Sequence, residues 1–357
     1  MSLGRAVFRN TLYLISAQGV TSAVAFVQAI LLVRYLGKEA YGVWNVAMAW
    51  PGIFFVLTDL GLNSYVLREV AADRGTLGYY FINMVAIKVA LSAVFVVAVW
   101  LAAQACGYEP RVAHYIVLAS LAQAAGCFEA MFTALFRAIQ RFAYESVVNG
   151  VKAVGLLGLA LGVIHHGWGV RELLLGSLVW QVVLTLGCFG LLLRHWKKPR
   201  WEPLMGLAES LRFIRRASPF ALITFILPIF YQIDIVMLSK LADMEAVGIY
   251  SAAYKLVMTL MVIPRAFKNA LFPTLSRLFQ DSREHFAQAF VLACKVMALA
   301  GFPLAFLIFA QAEGIVTWLY SGRYGESVQP LRIIAFSLLF TARYSATQAA
   351  PDASRNE

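Results

Sequence analysis

Glu39-Ala40-Tyr41-Gly42-Val43-Trp44 and Glu245-Ala246-Val247-Gly248-Ile249-Tyr250 are one pattern written twice, 206 positions apart. A second echo falls at almost the same offset. Ala86-Ile87-Lys88-Val89 returns as Ala293-Cys294-Lys295-Val296, 207 positions later. Either pair alone is short enough to arise by chance; two pairs at nearly one offset are harder to dismiss. Both sit in a chain that is apolar almost from end to end, and apolar chains made of repeated halves are a common construction among membrane transporters.

The composition agrees. The 357 residues are 61% hydrophobic and 14% charged, with a mean hydropathy of +0.72, where a soluble domain carries about 25% charged residues. Runs long enough to cross about 30 Å of hydrocarbon predict ten spans, at 10–33, 41–66, 78–104, 112–136, 146–165, 171–193, 217–239, 247–270, 286–310 and 328–345. The runs are continuous rather than alternating, which excludes barrel strands. The expected fold is an all-α polytopic membrane protein, its backbone polar groups paired inside helices.

The net charge of +11 falls between the spans, so it orients the chain in a membrane and does not form a nucleic-acid face. With the N-terminus in the cytoplasm, nineteen Lys and Arg lie on the inner side and seven on the outer. This predicts a multi-pass protein of the cytoplasmic membrane with an inner N-terminus. Arg5 and Arg9 precede a run too long for a signal peptide, which is read as an uncleaved first span. Seven of the inner cations sit in 194–216, either as a positive-inside anchor or as an attraction for anionic headgroups. The four cysteines show no C-x-x-C spacing and read as small apolar packing residues.

The repeat offset covers six crossings, an even number, so the halves share one orientation and are related by an axis along the membrane normal, with a cavity between them. This gives an N-terminal six-span lobe at 1–205 and an incomplete C-terminal lobe of four spans with a polar tail at 206–357. Leu331-Arg332-Ile333-Ile334 stands where span four stands in the first half, and partners for spans five and six are not in this sequence. The expectation is a truncated or frameshifted product, or a shortened paralogue.

The sequence holds no nucleophile elbow, P-loop, H-E-x-x-H or paired metal ligands, which predicts a carrier rather than an enzyme, without cofactor or metal. His165-His166 reads as a solvated outer loop. The informative residues are ionisable groups in spans, which are expensive there and usually face a cavity or a partner. Lys88 and Lys295 lie about ten residues into spans three and nine, roughly 15 Å from the inner end, and the repeat makes them equivalent. Two such cations facing one cavity would hold an anion such as a phosphate; the alternative is that each pairs with a carboxylate for structure. Lys255 adds to the same basic lumen, and snorkelling accounts for Lys152. Asp234 either pairs with a lysine, binds a coupling cation or proton, or fixes packing. Asp59, Arg68 and Glu129 lie nearer the inner side, with Asp59, Arg68 and Glu69 read as a structural ion-pair cluster. Gln18, Thr21, Ser22 and Gln28 form a stripe on span one, suited to a wet cavity or to helix–helix hydrogen bonding.

The residues also resemble the polysaccharide transporter (O-antigen and exopolysaccharide flippase) family, in the superfamily that includes the multidrug and toxic compound extrusion antiporters. The match runs through Leu36-Gly37-Lys38-Glu39-Ala40-Tyr41-Gly42, Asp59-Leu60-Gly61-Leu62 with Arg68, Ile233-Asp234-Ile235-Val236-Met237-Leu238, Ala246-Val247-Gly248-Ile249-Tyr250 and Tyr324-Gly325. The resemblance implies a multidrug-extrusion-like fold and a flippase moving a polyprenyl-pyrophosphate-linked oligosaccharide between leaflets. Its partners would be that lipid-linked oligosaccharide, membrane lipids and polysaccharide assembly proteins. The lysines would attract the pyrophosphate, with Gln18 and Gln28 beside the sugars. Three other functions compete. A cation-coupled drug antiporter would need acidic residues in the lobes, where lysines are as prominent. A membrane glycosyl polymerase or ligase would need a large outer loop, which is lacking. The short second half also fits an inactive remnant.

Overall fold

Apolar runs of this length leave the backbone one way to satisfy its N–H and C=O groups in hydrocarbon, the helix. The structure, a computed structural model, describes residues 3–195, 204–217, 221–262, 275, 277–279 and 281–340. It contains α1 (Leu3–Phe54), α2 (Leu62–Ala72), α3 (Leu77–Ala105), α4 (Pro110–Ala138), α5 (Phe142–His166), α6 (Val170–His195), α7 (Leu207–Ala217), α8 (Ala221–Leu241), α9 (Met244–Leu260), α10 (Arg283–Ala310), α11 (Ala312–Tyr320) and α12 (Val328–Ala335). Among the described residues there is no strand, and six helices are long and apolar enough to cross a membrane. The chain is a polytopic all-α membrane protein, as expected.

Three details depart from the span assignment. Spans one and two are joined without a loop. Helix α1 runs through both, broken only at Gly37 (φ 77°, ψ 173°), a backbone state open to glycine and strained for other residues. Span two is then interrupted. A 3-10 turn at Phe55–Thr58 leads through Leu60 (φ 45°) and Gly61 (φ 82°) before α2 resumes. The interruption is hidden in the sequence because Phe55, Val56, Leu57 and Leu60 are themselves apolar. Finally, α7 and α11 are short helices where connecting segments were expected.

Both copies of the repeat follow a break. The first begins two residues after Gly37. The second opens α9, where the Asp243 carboxylate accepts from the Ala246 N–H at 2.7 Å as an N-terminal cap. The repeated motif thus marks a helix restart in both places.

The contacts divide the chain into two compact units, residues 1–28 with 39–247, and 29–38 with 248–357. This division falls after Val247 and puts α8 in the first unit. The lobes were expected to divide at 205, within the first of these units. In the first unit α4 is the hub, packing on α2, α3, α5 and α6. Half of its most apolar stretch is buried, against 22–33% for α3, α5 and α6. Helix α8 packs on the 3-10 turn, with the Tyr108 hydroxyl 2.6 Å from Ser239 Oγ and the Lys240 ammonium 3.3 Å from the centre of the Tyr108 ring.

Helices α5 and α6 meet through glycine. A Cβ at Gly155 would overlap the Trp180 ring, whereas one at Gly158 meets nothing. Gly155→Ala is expected to cost roughly 1–3 kcal/mol through overpacking, while Gly158→Ala is neutral or slightly stabilising. Thermal midpoints of the two purified variants, read side by side, check this.

The second unit is fastened by two tyrosines, one at the end of α11 and one in the turn that follows it. The Tyr320 hydroxyl donates to the Ala252 carbonyl at 3.0 Å and the Tyr324 hydroxyl to the Val33 carbonyl at 3.1 Å. Arg34 donates to the carbonyls of Trp318 and Leu319, and Ser327 Oγ to that of Ile249. Outside the spans, Lys38 Nζ lies 2.8 Å from Glu326 Oε1. That hydrogen bond holds the Glu326 carboxyl below its ordinary range. A lowered carboxyl stabilises the fold above the ordinary value near about 4.3 and ceases to as pH falls through the lowered one. Glu326→Gln should therefore lower the thermal midpoint slightly at neutral pH, by a few tenths of a kcal/mol for an exposed pair. The difference should vanish in acid.

Candidate functional site

The interruption of α1 creates a problem that Lys88 solves. Turning the chain at 55–61 frees carbonyl groups inside an apolar bundle, where an unpaired polar group is costly. Lys88, on α3, is fully buried. Its ammonium donates to Asp59 Oδ1 at 2.7 Å and to the Thr58 carbonyl at 3.3 Å. Asp59 Oδ1 also accepts from the Asn63 N–H at 3.2 Å, at the start of α2. One turn along α3, Ser92 Oγ lies 3.3 Å from Cys127 Sγ on α4. This is a buried polar layer centred on one ion pair.

A second network ties α4, α5 and α6. Glu129, 5% exposed, accepts on Oε2 from Lys152 Nζ and from Gln181 Nε2, both at 2.7 Å. Thr185 Oγ1 donates to the Ala125 carbonyl beside it at 3.0 Å. Lys152 therefore turns inward to a carboxylate; the snorkelling expected of it is corrected.

Among the other candidates, Arg68 meets Glu69 at 3.2 Å, and Asp59 pairs with Lys88 rather than completing the expected Asp59–Arg68–Glu69 cluster. Asp234 is half-buried on α8 and accepts from the Ile235 N–H at 2.8 Å. Thr21, Ser22 and Gln28 are half-buried on α1, while the side chain of Gln18 lies outside the described residues. His166 stacks on Trp168 at 4.7 Å, and no cluster of metal ligands occurs among the described residues.

The two repeat-related lysines occupy matching positions along their own helices, in different surroundings. Lys88 lies eleven residues past Leu77, the start of α3, and Lys295 twelve past Arg283, the start of α10. Lys88 is sealed in its ion pair, whereas Lys295 is exposed. The position one offset of 206 beyond Asp59 is Arg265, which lies outside the described residues. Lys255, on α9, is half-buried. The ammonium groups of Lys255 and Lys295 have no partner among the described residues. The Lys88 ammonium, expected to face a shared cavity, instead serves the pairing with a carboxylate that was the alternative for it.

Sequence reasoning missed Gln181 and the pairing of Glu129 with Lys152. Gln181 was visible as a lone amide in an apolar span, a signal for a buried partner.

Comparison with known proteins sets these networks in context. A family model described as "Polysaccharide biosynthesis protein" matches residues 7–279. The chain belongs to that family. This member is 24% identical over 348 residues to the succinoglycan biosynthesis transport protein ExoT of Rhizobium meliloti, a match covering 93% of this chain and 66% of that protein's length. The fold is similar to that of the lipid II flippase MurJ, with TM-score 0.74 and 12% identity, covering 95% of this chain and 76% of the other. It is also similar to that of a multidrug resistance MATE family transporter of the MOP superfamily in an inward-facing conformation. There the TM-score is 0.69 at 14% identity, with 94% and 82% covered.

Proposed function

We propose that this family member is a flippase that carries a polyprenyl-pyrophosphate-linked oligosaccharide across the cytoplasmic membrane, with its N-terminus inside, during surface polysaccharide assembly. The family match over 7–279 carries this proposal. The likeness to a succinoglycan transport protein supports an exopolysaccharide as the cargo, and the fold shared with a lipid II flippase supports a lipid-linked sugar. The protein acts as a carrier, not an enzyme, and works beside the proteins that polymerise and export the glycan.

The second unit supplies the cations for the pyrophosphate. Lys255 and Lys295 keep ammonium groups uncommitted among the described residues, whereas Lys88 is spent on Asp59. An ammonium is a compact point charge suited to phosphate.

The test is export in a strain lacking the gene. The parent protein restores surface glycan, and the lipid-linked precursor stops accumulating inside. Lys255→Ala with Lys295→Ala reduces export about tenfold, as the loss of about 1.4 kcal/mol of substrate attraction would, at unchanged protein level. Restored glycan with both lysines removed would discard their role. Failure of the parent protein to restore any glycan, with drug resistance gained instead, would discard the flippase.

A further inference from the structure

Helices α3 and α6 both pack on α4 and leave between them an apolar groove of about 370 Å³. Phe81, Ile82 and Val85 form one wall, Phe128 and Phe132 the floor, and Thr185, Leu186 and Phe189 the other wall. The Thr185 hydroxyl is already donated to the Ala125 carbonyl. The groove thus offers no partners to water, which needs two to four. Each wall runs over five residues, just over one helical turn or about 6 Å of rise. That suits a stretch of hydrocarbon chain and not a sugar.

The end of the groove marked by Phe81 abuts a charged helix. Helix α7 inserts Phe213 between Tyr65 of α2 and Tyr80 of α3, at ring distances of 5.3 and 5.8 Å. The Met205 N–H, just before α7, donates to Asn83 Oδ1 at 2.6 Å. Phe213, Phe81 and Phe132 belong to one buried cluster. On its other face α7 shows Arg212, Arg215 and Arg216 outward, with Leu211 and the preceding Leu204 also exposed. Basic side chains beside exposed leucines on a short amphipathic helix are the pattern of a helix lying in a membrane interface.

We propose that this unit holds an anionic phospholipid of the adjoining leaflet, its phosphate against the α7 arginines and part of one acyl chain in the α3–α4–α6 groove. The charge of α7 selects an anionic headgroup, and the phenylalanine lining takes the chain. This site is independent of the carried substrate and of which side of the membrane α7 occupies.

The test uses the full chain in phosphatidylcholine nanodiscs with or without phosphatidylglycerol. The probes are phosphatidylglycerol and phosphatidylcholine bearing a photoactivatable acyl chain, with labelled peptides mapped. Phosphatidylglycerol labelling is expected to concentrate on α3, α4 and α6 at the groove. Val85→Trp and, separately, Leu186→Trp should fill the groove and cut labelling about tenfold. Arg212→Gln with Arg216→Gln should weaken phosphatidylglycerol by on the order of tenfold or more and leave phosphatidylcholine labelling unchanged. Thermal midpoints verify that each variant is folded, and either tryptophan variant suffices. Labelling spread evenly over all apolar helices, unchanged by a folded tryptophan variant, or equally strong with phosphatidylcholine would overturn the proposal. So would displacement of the probe by a polyprenyl phosphate in preference to phosphatidylglycerol.

Discussion

Lys88→Ala is expected to lower the amount of folded protein sharply, and to lower export only in proportion. The Lys88 ammonium is buried against Asp59 Oδ1 and the Thr58 carbonyl. Its removal strands a carboxylate and a broken-helix carbonyl in an apolar bundle. Breaking a buried pair from one side costs about 3–5 kcal/mol, a large share of the roughly 5–15 kcal/mol that holds a protein folded. Lys88→Ala with Asp59→Ala should recover part of the loss, because the stranded charge is gone. Membrane protein level and thermal midpoint across the two single variants and the double measure this directly. Normal levels of Lys88→Ala protein with abolished export would return Lys88 to the substrate site.

Lys152→Met is expected to have the next largest effect. It leaves Glu129 with Gln181 as its remaining donor among the described residues, and an incompletely paired buried carboxylate costs several kcal/mol. Lys152 is 35% exposed along its side chain, so the loss should fall near the lower end of the range, about 3 kcal/mol. Glu129→Gln added to Lys152→Met should restore much of it, since a neutral amide needs no counter-charge. A double variant as unstable as the single would show that Lys152 acts through packing rather than through its charge.

The sequence made the helices legible because their signal is continuous apolarity, and lipid admits one backbone answer to it. Five of the spans reappear almost unchanged as α3, α4, α5, α6 and α10. Breaks within apolar runs were not legible. The turn at Phe55–Gly61 changes the backbone without changing hydropathy, whereas the break at Gly37 falls in the 34–40 gap already left between spans one and two. The repeat identified Lys88 and Lys295 as equivalent, and they stand at matching positions along α3 and α10. It could not show that Lys88 pairs with Asp59, because pairing is a relation between helices. Glu129 was visible as a charge in a span, but its partners Lys152 and Gln181 lie 23 and 52 residues away, beyond any local pattern. Helix α7 looked like a charged linker because its apolar face is short; packing of Phe213 on Tyr65 and Tyr80 makes it part of the first unit.

The central claim is movement of a lipid-linked oligosaccharide by this chain. Purified protein placed in vesicles that carry a fluorescent polyprenyl-diphosphate oligosaccharide in both leaflets tests it, with a glycosidase added outside. Nearly all of the glycan should become cleavable with the parent protein, and with the Lys255→Ala, Lys295→Ala variant the inner half should become cleavable about tenfold more slowly. Cleavage that stops at the outer half with the parent protein, as in protein-free vesicles, would contradict the account.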